Sequence, residues 1–248
     1  SGDPVVITGI SNFSTTTGQI IELNSISGLR AINTTANNIY VKGIYFSSSS
    51  GTGNVQRNKV YDLTIASSGT SPQIFGIEGG GSFTIPGWTY SNNMISLTNG
   101  PNTNPVSILG IYDRGFSTIL ISNYYFNSVN IGGSSSGGSL GSFAFYRDGI
   151  TTNTHRNNIY TNTRTGGTAT HYSIFLNSAT PASGWSASAS DYNVLNSLGT
   201  IIGYWGTIDV DFAGWKSNSL GDNNSLSGIP LNFVNAETGD LHLLAGSN

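Results

Sequence analysis

The chain has no cysteine among its 248 residues, which excludes disulfide bridges and thiolate metal sites alike. Charge is nearly as scarce. Asp, Glu, Lys and Arg make up 8% of the sequence, against about 25% in ordinary globular domains. The net charge is −3, and the nine Lys and Arg are dispersed rather than gathered in a stripe. Such a chain has no means of neutralising a run of phosphates, so nucleic-acid binding is not expected. No apolar run approaches the roughly 18 residues that a membrane-crossing helix needs, so no membrane span is expected either. Helical periodicity is missing throughout, except for "VDFAGWKSN" at 210–218.

Low charge with modest hydrophobicity can mean disorder, but disordered chains are poor in aromatic and β-branched residues. Here aromatics reach 11%, and Ile, Val and Thr run through the whole sequence. The polarity comes from Ser, Thr, Asn and Gly, which favour turns and β-surfaces. An extended, all-β chain is the expectation. The shortage of Lys and Glu suits an exported protein, so a secreted, extracellular or cell-surface location is expected.

Two elements recur. The first is Asn, any residue, then an aliphatic, starting at Asn37, Asn58, Asn92, Asn127 and Asn157, with a looser copy at Asn193. The second follows about half a repeat later: "IFGIEGG" (74–80), "ILGIYDRG" (108–115), "SFAFYRDG" (142–149), "SIFLNS" (173–178) and "IIGYWG" (201–206). It alternates with period 2, which marks strands with one buried face. In this reading Phe75 with Ile77, Leu109 with Ile111, and Phe143 with Phe145 point the same way. Short strands recurring at about 30–36 residues predict a right-handed parallel β-helix of about six or more coils. Coils would occupy residues 1–208, and a closing segment of the same domain residues 209–248. The asparagines Asn37, Asn58, Asn92, Asn127 and Asn157 would form a ladder, each side-chain amide bonding its equivalent one coil away.

The stretches "NNMISLTNG", "NYYFNSVNIGG", "SFAFYRD" and "RNNIYTNTRTGGTATHYSIFLN" resemble the right-handed β-helix repeats of large bacterial secreted and cell-surface proteins. The tail is similar to the closing segment of such arrays, through Phe233-Val234-Asn235 and then Gly239-Asp240-Leu241-His242-Leu243. The resemblance implies a fold rather than an activity, because such repeats serve adhesins, matrix proteins and polysaccharide-active enzymes. It also implies that the chain is part of a longer protein.

Three sets of side chains are candidates for a role. Asp113-Arg114 recurs as Arg147-Asp148 with the charges exchanged. A lyase would use these aspartates as metal ligands and one arginine as base. The reading adopted is two structural interlayer ion pairs, Asp113 with Arg147 and Arg114 with Asp148. Tyr112 and Tyr146, on the opposite face from Ile111 and Phe145, are candidate glycan-contacting aromatics. The open coil ends are candidate contacts for further copies of the chain. No catalytic residue, metal site or cofactor is expected. The expected function is a non-enzymatic structural or adhesive module, with a carbohydrate-binding or carbohydrate-cleaving β-helix as the alternative.

Overall fold

The computed structural model describes residues 4–33, 38–47, 52–67, 69–80, 87–115, 120–178, 184–186 and 188–246. Three sheets run the length of the molecule. The long sheet takes Val5–Asn12 (β1), Ile39–Phe46, Gln73–Gly79, Ser107–Asp113, Ser142–Arg147, His171–Leu176, Ile201–Trp205 and Ile208–Asp211. A second sheet runs from Gln19–Glu22 through Gly53–Gln56, Trp88–Ser91, Ile121–Tyr125 and Thr152–Arg156 to Ser190–Asp191. The third runs from Ser25–Ile26 through Lys59–Tyr61, Met94–Leu97, Ser128–Ile131 and Ile159–Asn162 to Val194–Ser197. Neighbours pair in parallel, apart from the last strand of the long sheet, which turns back antiparallel. The chain is therefore a parallel β-solenoid, of about five turns.

Registered pairing stacks like side chains into columns that fill the interior. The long sheet contributes Ile10, Ile44, Ile77, Ile111, Phe145 and Ile174. The second contributes Ile21, Val55, Tyr90, Tyr124 and His155. The third contributes Ile26, Val60, Ile95, Val129, Tyr160 and Leu195. From Ile44 to Ile174 the first column is fully buried. Burial of this kind, at about 25 cal/mol per Å² of apolar surface, is the main force holding the coils together.

One expectation about faces is corrected. Phe75, Leu109 and Phe143 lie outside, opposite Ile77, Ile111 and Phe145. Pairing in the long sheet skips Gly9, Gly43, Gly76, Gly110, Ala144 and Ser173, one per coil. There the strand bends into the core. A Cβ on Gly43 would come within 2.5 Å of Val60 Cγ1 and 2.6 Å of the Gly76 carbonyl oxygen. The bend turns two successive residues inward, so strict alternation fails at that point.

The C-terminal end leaves the coil pattern. Helix α1 (Phe212–Ser219) starts at Asp211, whose carboxylate accepts from Gly214 N at 2.7 Å. It delivers Trp215, fully buried, edge-on to Trp205 and Trp185. The chain then returns along the outside of the third sheet. A hairpin of Phe233–Asn235 and Asp240–Leu243 sets Gly239 beside Tyr61 and Lys59.

Candidate functional site

The asparagine ladder exists, on a partly different set of residues. Asn24 Nδ2 donates to Asn58 Oδ1 at 2.9 Å, Asn58 to Asn93 at 3.0 Å, and Asn93 to Asn127 at 2.9 Å. Asn127 continues to Asn158 at 3.0 Å, and Asn158 to Asn193 at 3.1 Å. Each Oδ1 also accepts the backbone N–H of the previous ladder residue. From Asn58 onward the second amide hydrogen of each rung goes back one coil, to the carbonyls of Ile21, Val55, Tyr90, Tyr124 and His155 in turn. Every polar atom of a buried rung is thereby engaged, which is what burial of an amide requires.

Asn58 and Asn127 are rungs. Asn92 and Asn157 are not: each precedes its rung and sits exposed, with φ of 54° and 57°. Leu23, Arg57, Phe126 and Tyr192 occupy the same corner in the other coils, all at φ between 55° and 58°. Asn tolerates the left-handed region better than most residues. A doubled Asn-Asn therefore places its first member on the corner and its second in the ladder. Asn37 lies outside the described residues. Asn24 is a rung the repeat search missed, and "Asn24-Ser25-Ile26" carries the same pattern.

The four charges divide between inside and outside. Asp113 pairs in register with Arg147, and both are buried within the solenoid. Each hydrogen-bonds with other groups as well. The carboxylate of Asp113 accepts from Gly115 N, Tyr124 Oη, Thr151 Oγ1 and Asn153 Nδ2 at 2.8–3.1 Å. Arg147 Nη1 donates to the Thr151 carbonyl at 2.9 Å. Burial holds the Arg147 pKa down to about 10, against the pull of Asp113. Burial, and then the charge of Asp113, raises Tyr124 well above the usual phenol range.

Arg114 and Asp148 both face solvent, yet the expected pair between them is replaced. Arg114 reaches back to Glu78 at 2.8 Å, and Glu78 is closed on its other side by Lys42 at 2.6 Å. Asp148 accepts from Tyr112 Oη at 3.0 Å and Asn177 Nδ2 at 2.9 Å. Glu78 is 2% exposed, so its two cations meet a carboxylate withdrawn from water, where a single cation would leave more of the burial cost uncompensated. Lys42 and Arg114 each stand 36 positions from Glu78 in the chain, so no local motif marks the cluster.

Tyr112 and Tyr146 are neighbours in register on the outer face, where a half-buried aromatic column continues through Phe175 and Tyr204. Tyr146 stacks on Phe175 with centroids 4.7 Å apart and planes 16° from parallel, and Phe175 on Tyr204 at 4.4 Å and 8°. Tyr112 meets Tyr146 edge-on at 5.2 Å. Ring faces are thus spent on one another, and the surface receives edges and hydroxyls.

These placements bear on chemistry. Asp113 and Asp148 stand on opposite sides of one sheet and cannot converge on a substrate bond or a cation. Among the described residues no group of three or more His, Asp or Glu is placed to hold a metal ion. Open cavities remain among the described residues. One, of about 470 Å³, lies between the loops at Arg164–His171 and Leu198–Ile201. Another, of about 580 Å³, lies between the C-terminal hairpin and the third sheet, lined by Met94, Phe126, Leu241, Arg57, Lys59 and His242 among others.

Fold and ladder together define the class, a parallel β-solenoid whose coils are tied by an internal asparagine column. No protein-family model, no curated protein and no solved structure matches the chain.

Proposed function

We propose that this solenoid is a non-enzymatic structural or adhesive module, exposed on a bacterial surface or held in an extracellular matrix. The observation that carries the reading is where its charges go. Glu22, Glu78, Asp148 and Asp191 are each held by donors from neighbouring coils, along the solenoid axis. An enzyme acting on polysaccharide would instead gather carboxylates across a cleft. Polar groups used this way stiffen a rod and leave its flanks rich in Ser, Thr and Asn. A screen of acidic and neutral polysaccharides, with and without Ca²⁺, tests the reading. No depolymerisation is expected, and clear product formation would overturn it.

Glycan contact is the second reading, favoured by the half-buried column of Tyr112, Tyr146, Phe175 and Tyr204. With ring faces stacked on each other, a sugar would meet hydroxyls and ring edges. A glycan array with the Tyr112→Ala and Tyr146→Ala forms tests it: binding lost in both supports the column, and binding unchanged removes it.

A further inference from the structure

The ladder has a direction, and it ends differently at its two termini. Every rung donates from its backbone N–H and its Nδ2 toward the next coil, and accepts at Oδ1 from the coil before. At Asn24 no earlier rung exists among the described residues. Its Oδ1 has no donor there, and its second amide hydrogen falls back on the carbonyl of Glu22, two residues away in the same coil. The strand edges around it are open as well. β1, Gln19–Glu22 and Ser25–Ile26 are the terminal members of all three sheets. Val5 is 46% and Val6 50% exposed, whereas Ile39, the partner of Val5 one coil further on, is 1% exposed.

We infer that this end is a docking surface for one further parallel β-coil carrying asparagine at the ladder position. The occupant must bring a backbone N–H and an amide N–H to Asn24 Oδ1. It must also offer a carbonyl to Asn24 Nδ2, as Ile21 does for Asn58. A second copy of this chain cannot supply that set. Its own first coil would oppose Oδ1 with Oδ1. Its last rung, Asn193, already donates its N–H to Ser225 Oγ at 2.8 Å and its Nδ2 to Asp222 at 3.0 Å. The antiparallel strand Ile208–Asp211 closes the long sheet at that same end. The partner is therefore a solenoid coil of matching polarity, and a second copy of this chain does not match the ladder's direction. The inference rests on the fold alone and stands whatever the module's role.

Grafting tests it. A duplicate of residues 39–71, which carries Asn58, is joined directly before Val5, and a second graft uses residues 72–105 with Asn93. Each is made with Asn and with Ala at the ladder position. Amide hydrogen exchange in β1 and the melting temperature are then compared with the parent. At least one Asn graft should slow exchange in β1 by about ten-fold or more and raise Tm, with the Ala form giving a smaller change. Unchanged β1 exchange in both Asn grafts would overturn the inference, as would equal protection by the Ala forms. Dimers of the parent chain held through β1, seen by sedimentation and abolished by Val6→Lys, would also overturn it.

Discussion

At its downstream end the solenoid closes on Trp215, Asp222 and Ser225, whereas its first coil leaves Val5, Val6, Ile20 and Leu23 in solvent. The difference follows from which half of a hydrogen bond each end lacks. Downstream, the unmatched groups of Asn193 are N–H donors inside the core, and a buried donor without an acceptor costs about 1–3 kcal/mol. They are met by Ser225 Oγ and by Asp222, itself anchored by Trp215 Nε1 at 2.8 Å. Upstream, the unmatched atom is a half-buried carbonyl oxygen, a group that tolerates incomplete bonding better than a donor does. Termination is therefore built where the ladder's polarity demands it, and the other end is left able to accept.

Substitutions at the two ends should expose this asymmetry. Trp215→Ala removes the plug and the donor to Asp222, and should cost about 3–5 kcal/mol. Val6→Ala at the open end, 50% exposed, should stay within about 0.5 kcal/mol. Chemical denaturation of both variants checks the contrast, and equal losses would break it.

The same asymmetry is predicted within the ladder. Asn193→Ala strands the N–H and Nδ2 donors of Asn158 in the core and should cost about 3 kcal/mol. Asn24→Ala loses two side-chain bonds, to Asn58 Oδ1 and the Glu22 carbonyl, but strands no buried donor, and should cost about 1 kcal/mol.

Acid should loosen the downstream half. His155 is stacked between Tyr124 and Trp185, and burial, with Arg147 adding, holds its pKa well below 6.5. His171 is lowered in the same direction, mainly by burial. The unfolded chain then binds protons the folded one refuses. Stability is complete above about pH 6.5 and falls as pH drops below it, by up to about 1.4 kcal/mol per unit for each group. Urea midpoints of His155→Phe at pH 5 and 7.5 should differ less than those of the parent. The smallest effect belongs to the corner: Asn92→Gly keeps a left-handed residue there and should change stability by less than about 0.5 kcal/mol.

Much of the fold was legible before any coordinates. The period-2 segments gave the long sheet, the single helical stretch at 210–218 is α1, and Phe233–Leu243 is the closing hairpin. Asn58 and Asn127 were recognisable because no second Asn stands beside them. At 92–93 and 157–158 the doubled asparagine hid which residue turns the corner. Phe75, Leu109 and Phe143 were assigned to the wrong face because an inward bend at a small residue has no period of its own. The partners of Arg114 and Asp148 were misjudged because side-chain reach, rather than register, decides them. Asp113 lies two residues from Ile111 and so follows it inside. There its carboxylate is satisfied by four donors that are scattered in sequence and become neighbours only when coils stack.

Residue-resolved amide exchange along the parent chain tests the polarised solenoid most directly. Rung amides Asn58, Asn93, Asn127, Asn158 and Asn193 should be the slowest to exchange, with protection at Asn193 undiminished beside the cap and β1 the fastest strand of the long sheet. Protection that fades equally toward both ends, or that is highest in β1, would contradict the account.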